Sequence, residues 1–337
     1  MLICRFQYCS AVLFGSSIAM EQLGVVYSDV LSARDKIAPY IHETPVLTSA
    51  QADEKTGRKL FFKCENYQKT GSFKARGALN AVTHSSGNHG QALSWATQVA
   101  EFPCYVVVPQ TAPEQEIEVK KRAIRGYGGR LVECGPDLQE RYDTCEKLVR
   151  EKELLAISSS DHADVIAGQV RDHWTLLLLL QAYIFLLFII LIYIYTFFLC
   201  FNGFVSLIVI LPLFSVFLAT PKGKSLEQCL RTGERPWKGP RQYLNTVADG
   251  LRLEQTGYIN TPILVALAEK DVFEMGDEEI VAAMKFAFER MKMVVEPSGA
   301  TPLAAAFSKK FQTMDSKLVN IGVVLSGGNV DIDHLPW

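Results

Sequence analysis

From Trp174 to Ala219 the chain runs for 46 residues without a single Asp, Glu, Lys or Arg. Such a run has no place on a water-exposed surface. A helix crosses a bilayer in ~20 apolar residues, so the block is long enough to cross twice. Asn202-Gly203 would then form the turn, and Pro212 would interrupt the second leg. Arg171 precedes the block and Lys222 and Lys224 follow it, as a hairpin with both ends in the cytosol requires. A competing reading is that the block is translated non-coding sequence. Runs of Phe, Leu, Ile and Tyr are what a U-rich untranslated stretch gives when read in frame, and Val170-Arg171 is how a common splice donor reads. A soluble core cannot gain a lipid-facing hairpin without cost, which favours the second reading.

The rest of the chain is unlike this block. Its 337 residues suffice for two domains at ~100–200 residues each, with a cleft between them. A net charge of −2 gives no basic field for nucleic acid. The eight cysteines are scattered and form no C-x-x-C pair, so they read as small buried hydrophobes in a reducing cytosol. Residues 1–19 are an atypical extension. Arg5 followed by Ala11-Val12-Leu13-Phe14-Gly15 is only weakly like a signal peptide, and Met20 is an alternative start.

Strands and helices alternate on both sides of the block. Leu60–Cys64, Cys104–Val108, Arg130–Cys134 and Ile321–Leu325 read as short apolar strands between turn-formers. Ser72 is placed to cap a helix carrying Phe73, Arg76 and Leu79. Pro113 suits the first turn of a helix that stops before Gly126. Asp277 is placed to cap a helix with Ile280, Met284, Ala287, Phe288 and Met291 on one stripe. This order predicts an α/β fold with parallel sheets.

Three polar clusters stand beside these elements: Lys69–Ala78, Thr83–Gln91 and Ser326–Asn329. In the first, Lys74 follows Phe73 and precedes small residues, which suits a confined amine. A desolvated lysine can condense with an aldehyde cofactor. The second offers backbone amides, hydroxyls and carboxamides at a helix start, a place for a carboxylate or phosphate. His84 and His89 lack an acidic partner at ligand spacing, so no metal site is read there. The third ends a strand, where ligands bind in open α/β sheets.

Together and in this order the clusters resemble the fold-type-II pyridoxal-phosphate enzymes, tryptophan synthase β-like, and most closely the serine racemase and serine/threonine dehydratase family. His42–Ser49, Val106–Pro113, Glu289–Lys292 and Val295–Gly299 match that family as well. The resemblance covers about 20–169 and 222–331. It implies a large cofactor domain from 20–80 and 162–337, with 171–220 replacing family sequence, and a small domain from 81–161. It implies that Lys74 carries pyridoxal 5′-phosphate and removes the Cα proton from one face. Ser86 serves the opposite face, and Ser85, Ser86, Asn88 and His89 hold the substrate carboxylate. Phe73, Asn88 and Ser326 border the cofactor, Asn88 by its ring hydroxyl and Ser326 by its pyridine nitrogen. Serine or threonine would be racemised, or would lose the β-hydroxyl to end as an oxo acid and ammonia, in a cytoplasmic homodimer.

Two family features are absent from the sequence. No run of four glycines follows Ala167-Gly168-Gln169, and the acidic residues that hold a divalent cation (Mg) in the family are missing. The expectation is weakened phosphate binding and a chain that is inactive as written. The alternative is a membrane-anchored or non-catalytic derivative that keeps the motifs, membrane-associated through 174–219.

Overall fold

The computed structural model describes residues 27–80, 87–110, 114–152, 154, 156, 158, 161–169, 188–193, 214–239, 242–316 and 318–337. Among the described residues eight strands form two sheets: β1 Val46–Thr48, β2 Lys59–Cys64, β3 Tyr105–Pro109, β4 Arg130–Cys134, β5 Phe188–Tyr193, β6 Phe214–Pro221, β7 Val272–Met275 and β8 Asn320–Leu325. Six of them run in the order β1-β2-β8-β5-β6-β7, while β3 and β4 make a separate parallel pair. Apart from the antiparallel edge pair β1–β2, every neighbour in the large sheet is parallel.

The helices named below are α1 Tyr27–Ile37, α2 Ala50–Thr56, α3 Lys74–Asn80, α4 Asn88–Val99, α5 Glu114–Gly126, α6 Leu138–Lys152, α7 Ala163–Gln169, α8 Leu226–Thr232, α9 Asn260–Leu267, α10 Asp277–Phe286 and α11 Pro297–Phe307. In α11, proline opens the first turn and every residue from Pro297 to Ala306 is buried. Its small side chains let it pack closely, and the core around it holds Phe62, Phe217, Phe273, Met284, Leu303 and Val323. Burying one such large side chain stabilises by ~1.5–3 kcal/mol. Leu93, Cys104, Val106, Val108 and Ile124 form a second core under β3 and β4.

The uncharged block does not interrupt this fold. Phe188–Tyr193 and Phe214–Pro221, which lie in or overlap the predicted hairpin, are neighbouring parallel strands of the large sheet. Phe188 is also in register with Asn320 of β8. A strand inside a parallel sheet is covered on both faces, so it needs the same uncharged, bulky sequence that a membrane span needs. Composition alone therefore misreads these segments. Among the described residues no helix is long and apolar enough to cross a membrane. The remainder of the hairpin and the extension 1–19 lie outside the described residues.

Local capping also differs from expectation. Ser72 Oγ makes no hydrogen bond, so it does not cap α3. Gly276 rather than Asp277 is the cap of α10, with Glu279 Oε2 accepting from Gly276 N–H at 2.8 Å. The Asp277 carboxylate instead accepts from Val247 N–H at 3.1 Å. Helix α5 runs through Gly126. Among the described residues Cys64, Cys104, Cys134, Cys145 and Cys229 are buried, and burial pushes the Cys64 thiol up to about 12.

Candidate active site

The end of β8 and the start of α3 are sewn together by backbone. Ser72 bridges Gly327 in antiparallel fashion, Phe73 N–H donates to Ser326 O at 3.1 Å and Gly328 N–H donates to Gly71 O at 2.9 Å. Gly71 has φ +71, and a Cβ there would lie 2.4 Å from Asn329 Oδ1. Any other residue would be strained and would clash. These contacts fix Lys74, which is buried with its Nζ 4.8 Å from the Phe73 ring centroid.

Two further anchors hold α3. Gln169 closes α7 and is fully buried. With its amide oriented to satisfy both ends, it donates to Phe73 O at 2.7 Å and accepts from Gly77 N–H at 3.1 Å. Arg76 donates from Nε to Glu65 Oε2 at 2.8 Å and from Nη2 to Glu65 Oε1 at 3.1 Å. Burial would raise the Glu65 carboxyl, but Arg76, Lys63 and Thr44 outweigh it and hold it low. Lys63 donates to Thr44 O at 2.7 Å, and burial lowers its amine to about 8.

Helix α4 begins at Asn88 beside the same seam. Gly87 precedes it at φ +80, a left-handed turn that a side chain resists. Asn88 is clamped at both ends of its carboxamide. Its Nδ2 donates to Glu296 Oε1 at 2.6 Å, and its Oδ1 accepts from Asn329 Nδ2 at 3.0 Å. Asn329 Nδ2 also donates to Thr70 O at 2.9 Å. The seam thus joins a lysine, a strand end and a helix N-terminus.

Comparison with known proteins shows what kind of site this is. Residues 37–172 match the family model described as pyridoxal-phosphate dependent enzyme. Serine racemase of Homo sapiens is 36% identical, with 94% of this chain and 95% of that protein covered. Serine racemase of Dictyostelium discoideum is 39% identical over 94% of this chain and 98% of its own length. The chain belongs to the serine racemase family of pyridoxal-phosphate-dependent enzymes. Solved structures agree. A pyridoxal 5′-phosphate-dependent aspartate racemase is 43% identical at a TM-score of 0.84, covering 93% of this chain and 98% of its own. The serine racemase of maize is 34% identical at a TM-score of 0.80, covering 92% and 95%.

Of the residues expected to serve this family's chemistry, Phe73, Lys74, Asn88, His89 and Ser326 gather at the seam, and all but Asn88 are buried. Ser85 and Ser86 lie outside the described residues. Sequence reasoning missed Gln169, Glu296, Lys120 and Asp249. The only available signal for Glu296 was its place in Val295–Gly299, a motif noted for resemblance and given no role.

The residues of the seam fit the cofactor. Thr70 Oγ1, Ser72 Oγ and Glu296 Oε2 are buried at the seam and make no hydrogen bond, which leaves donors and acceptors for a polar guest. Gly328 N–H is already committed to Gly71 O, so the Gly327-Gly328 pair does not replace the family's phosphate loop. Among the described residues no three His, Cys, Asp or Glu are grouped to hold a metal, and Lys224, buried after β6, places its amine against Leu253 O.

Proposed function

We propose that the chain acts as a pyridoxal-phosphate-dependent serine racemase and serine/threonine dehydratase. The observation that carries this reading is the buried Lys74 amine, fixed by the backbone seam to the end of β8 beside Ser326. When bound there, the cofactor supplies the electron sink that makes the substrate Cα–H acidic. Lys74 holds the cofactor and takes or returns the Cα proton on one face. Ser86 does so on the other face. Ser85, Asn88 and His89, near the start of α4, hold the substrate carboxylate. Phe73, Asn88 and Ser326 bound the ring, and a neutral Ser326 hydroxyl leaves its nitrogen unprotonated. Racemisation needs both proton-handling groups, whereas β-hydroxyl loss needs one face only.

Residues 81–161 form the small domain of this reading, with the cleft between it and the rest. A homodimer in the cytoplasm is the assembly and place expected of it. Serine and threonine are the substrates it favours.

The experiment is an assay of the intact chain with pyridoxal phosphate, following D-serine, pyruvate and 2-oxobutanoate, with aspartate as a parallel substrate. Turnover of serine is expected. Ser86→Ala should lose racemisation in both directions while elimination from one enantiomer survives in part. Exclusive turnover of aspartate would replace serine as the substrate. Equal loss of both activities in Ser86→Ala would reduce Ser86 to shaping the pocket.

A further inference from the structure

Beside the seam is a cluster of ionisable groups that the roles above do not use. Lys120 of α5 is buried and pairs through its ammonium with Asp249 Oδ2, and its Nζ lies 3.9 Å from Glu296 Oε2. Asp249 also accepts from Ser298 Oγ at 3.3 Å and from Gly250 N–H at 2.8 Å through Oδ1. Glu296 is held by its own backbone, with its N–H donating to Gly327 O at 3.0 Å. Gly327 is packed so tightly against it that a Cβ would lie 2.6 Å from Glu296 Oε1.

The charged groups facing Glu296 are Lys120 from α5 and Asp249 from the 249–251 turn, which Arg252 also faces. The start of α4 and the turn after β8 bring the neutral Asn88 and Asn329. Two carboxylates therefore share one nearby ammonium. Lys120 sits much closer to Asp249 and holds that carboxyl low despite burial. Glu296 is left as the surplus anion in a site with little water, and such a group keeps its proton.

We propose that Glu296 is a positioning residue for the cofactor. It acts through Asn88, and its proton, retained because Lys120 is committed to Asp249, leaves the Asn88 carboxamide able to serve the cofactor's ring oxygen. This rests on the cofactor reading above. The Glu296 Oε1 contact with Asn88 Nδ2 at 2.6 Å and the Asn329 contact at the other end fix which way the carboxamide faces. When Glu296 ionises, its hold on Asn88 becomes a charge-assisted bond, and a negative charge arrives beside an anionic ring oxygen. Both changes weaken cofactor binding. Burial, opposed in part by Lys120, raises the carboxyl to about 7, which puts the change in the working range.

The test compares the wild-type chain with Glu296→Gln, which keeps an acceptor for Asn88 but does not titrate. Proton release by the cofactor-free chains is measured first, and the difference should be one proton near pH 7. Affinity for pyridoxal phosphate is then read by absorbance from pH 6 to 8. Its own phosphate and Lys74 titrate in both proteins, so the difference isolates Glu296. Wild-type affinity should fall by roughly tenfold more than that of the variant across that range. Lys120→Gln should move the wild-type midpoint upward, and it serves as the second variant if Glu296→Gln does not fold. Identical pH profiles, or a difference titration without the near-neutral proton, overturn the proposal. If neither protein takes up cofactor at any pH, the cofactor reading itself fails and this proposal with it. Normal cofactor uptake without the predicted pH difference defeats the positioning role alone.

Discussion

Glu65 and Glu296 are both buried carboxylates set against basic side chains, yet their proton affinities are moved in opposite directions. Glu65 meets two cations and a hydroxyl: Arg76 in a two-pronged contact, Lys63 at 4.0 Å and Thr44 Oγ1. Both of its oxygens are used, and its carboxyl is held low. Glu296 shares a single ammonium with Asp249, leaves Oε2 without a hydrogen bond, and is pushed up to about 7. The first cluster engages both oxygens of its carboxylate and ties the end of β2 to α3. The second is short of positive charge and of partners, and it lies beside the seam. A finished ion cluster holds a scaffold together, whereas an unfinished one points to a ligand.

The largest effect that could break this contrast is in Glu65→Gln. It removes the buried carboxylate that Arg76 and Lys63 share, so denaturant unfolding should show a loss of about 3–5 kcal/mol. Glu296→Gln should cost under about 1 kcal/mol when measured at pH 6, below the value of about 7 to which the wild-type carboxyl is raised. Equal losses would mean that both clusters are scaffold.

Acid separates the two clusters by sign. The Glu65 carboxyl is lowered on folding, so its contribution is present above its ordinary value of 4.5 and lost as pH falls through the folded value. The Glu296 carboxyl is raised, so its contribution is full below 4.5 and lost as pH rises through about 7. Subtracting the stability–pH curve of Glu296→Gln from that of wild type should therefore leave a component of at most a few kcal/mol that declines between those values. A component that rises over the same window would reverse the assignment.

A smaller effect tests how α3 is anchored. A Cβ on Gly77 would run into the Gln169 carboxamide and lie 2.8 Å from Val165 O. Gly77→Ala should cost about 1–3 kcal/mol by overpacking and should loosen Phe73 through Gln169. An unchanged unfolding midpoint would show that α7 does not hold the site.

The site's nucleus is legible in the sequence because it is built from short contiguous motifs. Lys74 and Ser326 sit at element ends that apolar periodicity marks well, and the predicted strand Arg130–Cys134 coincides with β4. The partners of those motifs come from far along the chain. Glu296 lies 208 residues from the Asn88 it contacts, and Lys120 lies 129 residues from Asp249, so no local pattern announces either pairing. Strands β5 and β6 escape a reading by composition for a different reason, since lipid and a doubly covered sheet select the same residues. The cap of α10 falls one residue before the expected Asp277, because a glycine with a Glu three residues on closes the helix start instead.

The account rests most directly on Lys74. Incubating the intact chain with pyridoxal phosphate, reducing with borohydride and mapping the peptides should place the phosphopyridoxyl group on Lys74. Two other buried amines are built-in controls, because burial lowers Lys224 to about 7 and Lys63 to about 8 without bringing either to the seam. Label confined to Lys74 and abolished in Lys74→Ala is the predicted result. Label on Lys224 or Lys63, or no label on a folded chain, would contradict it.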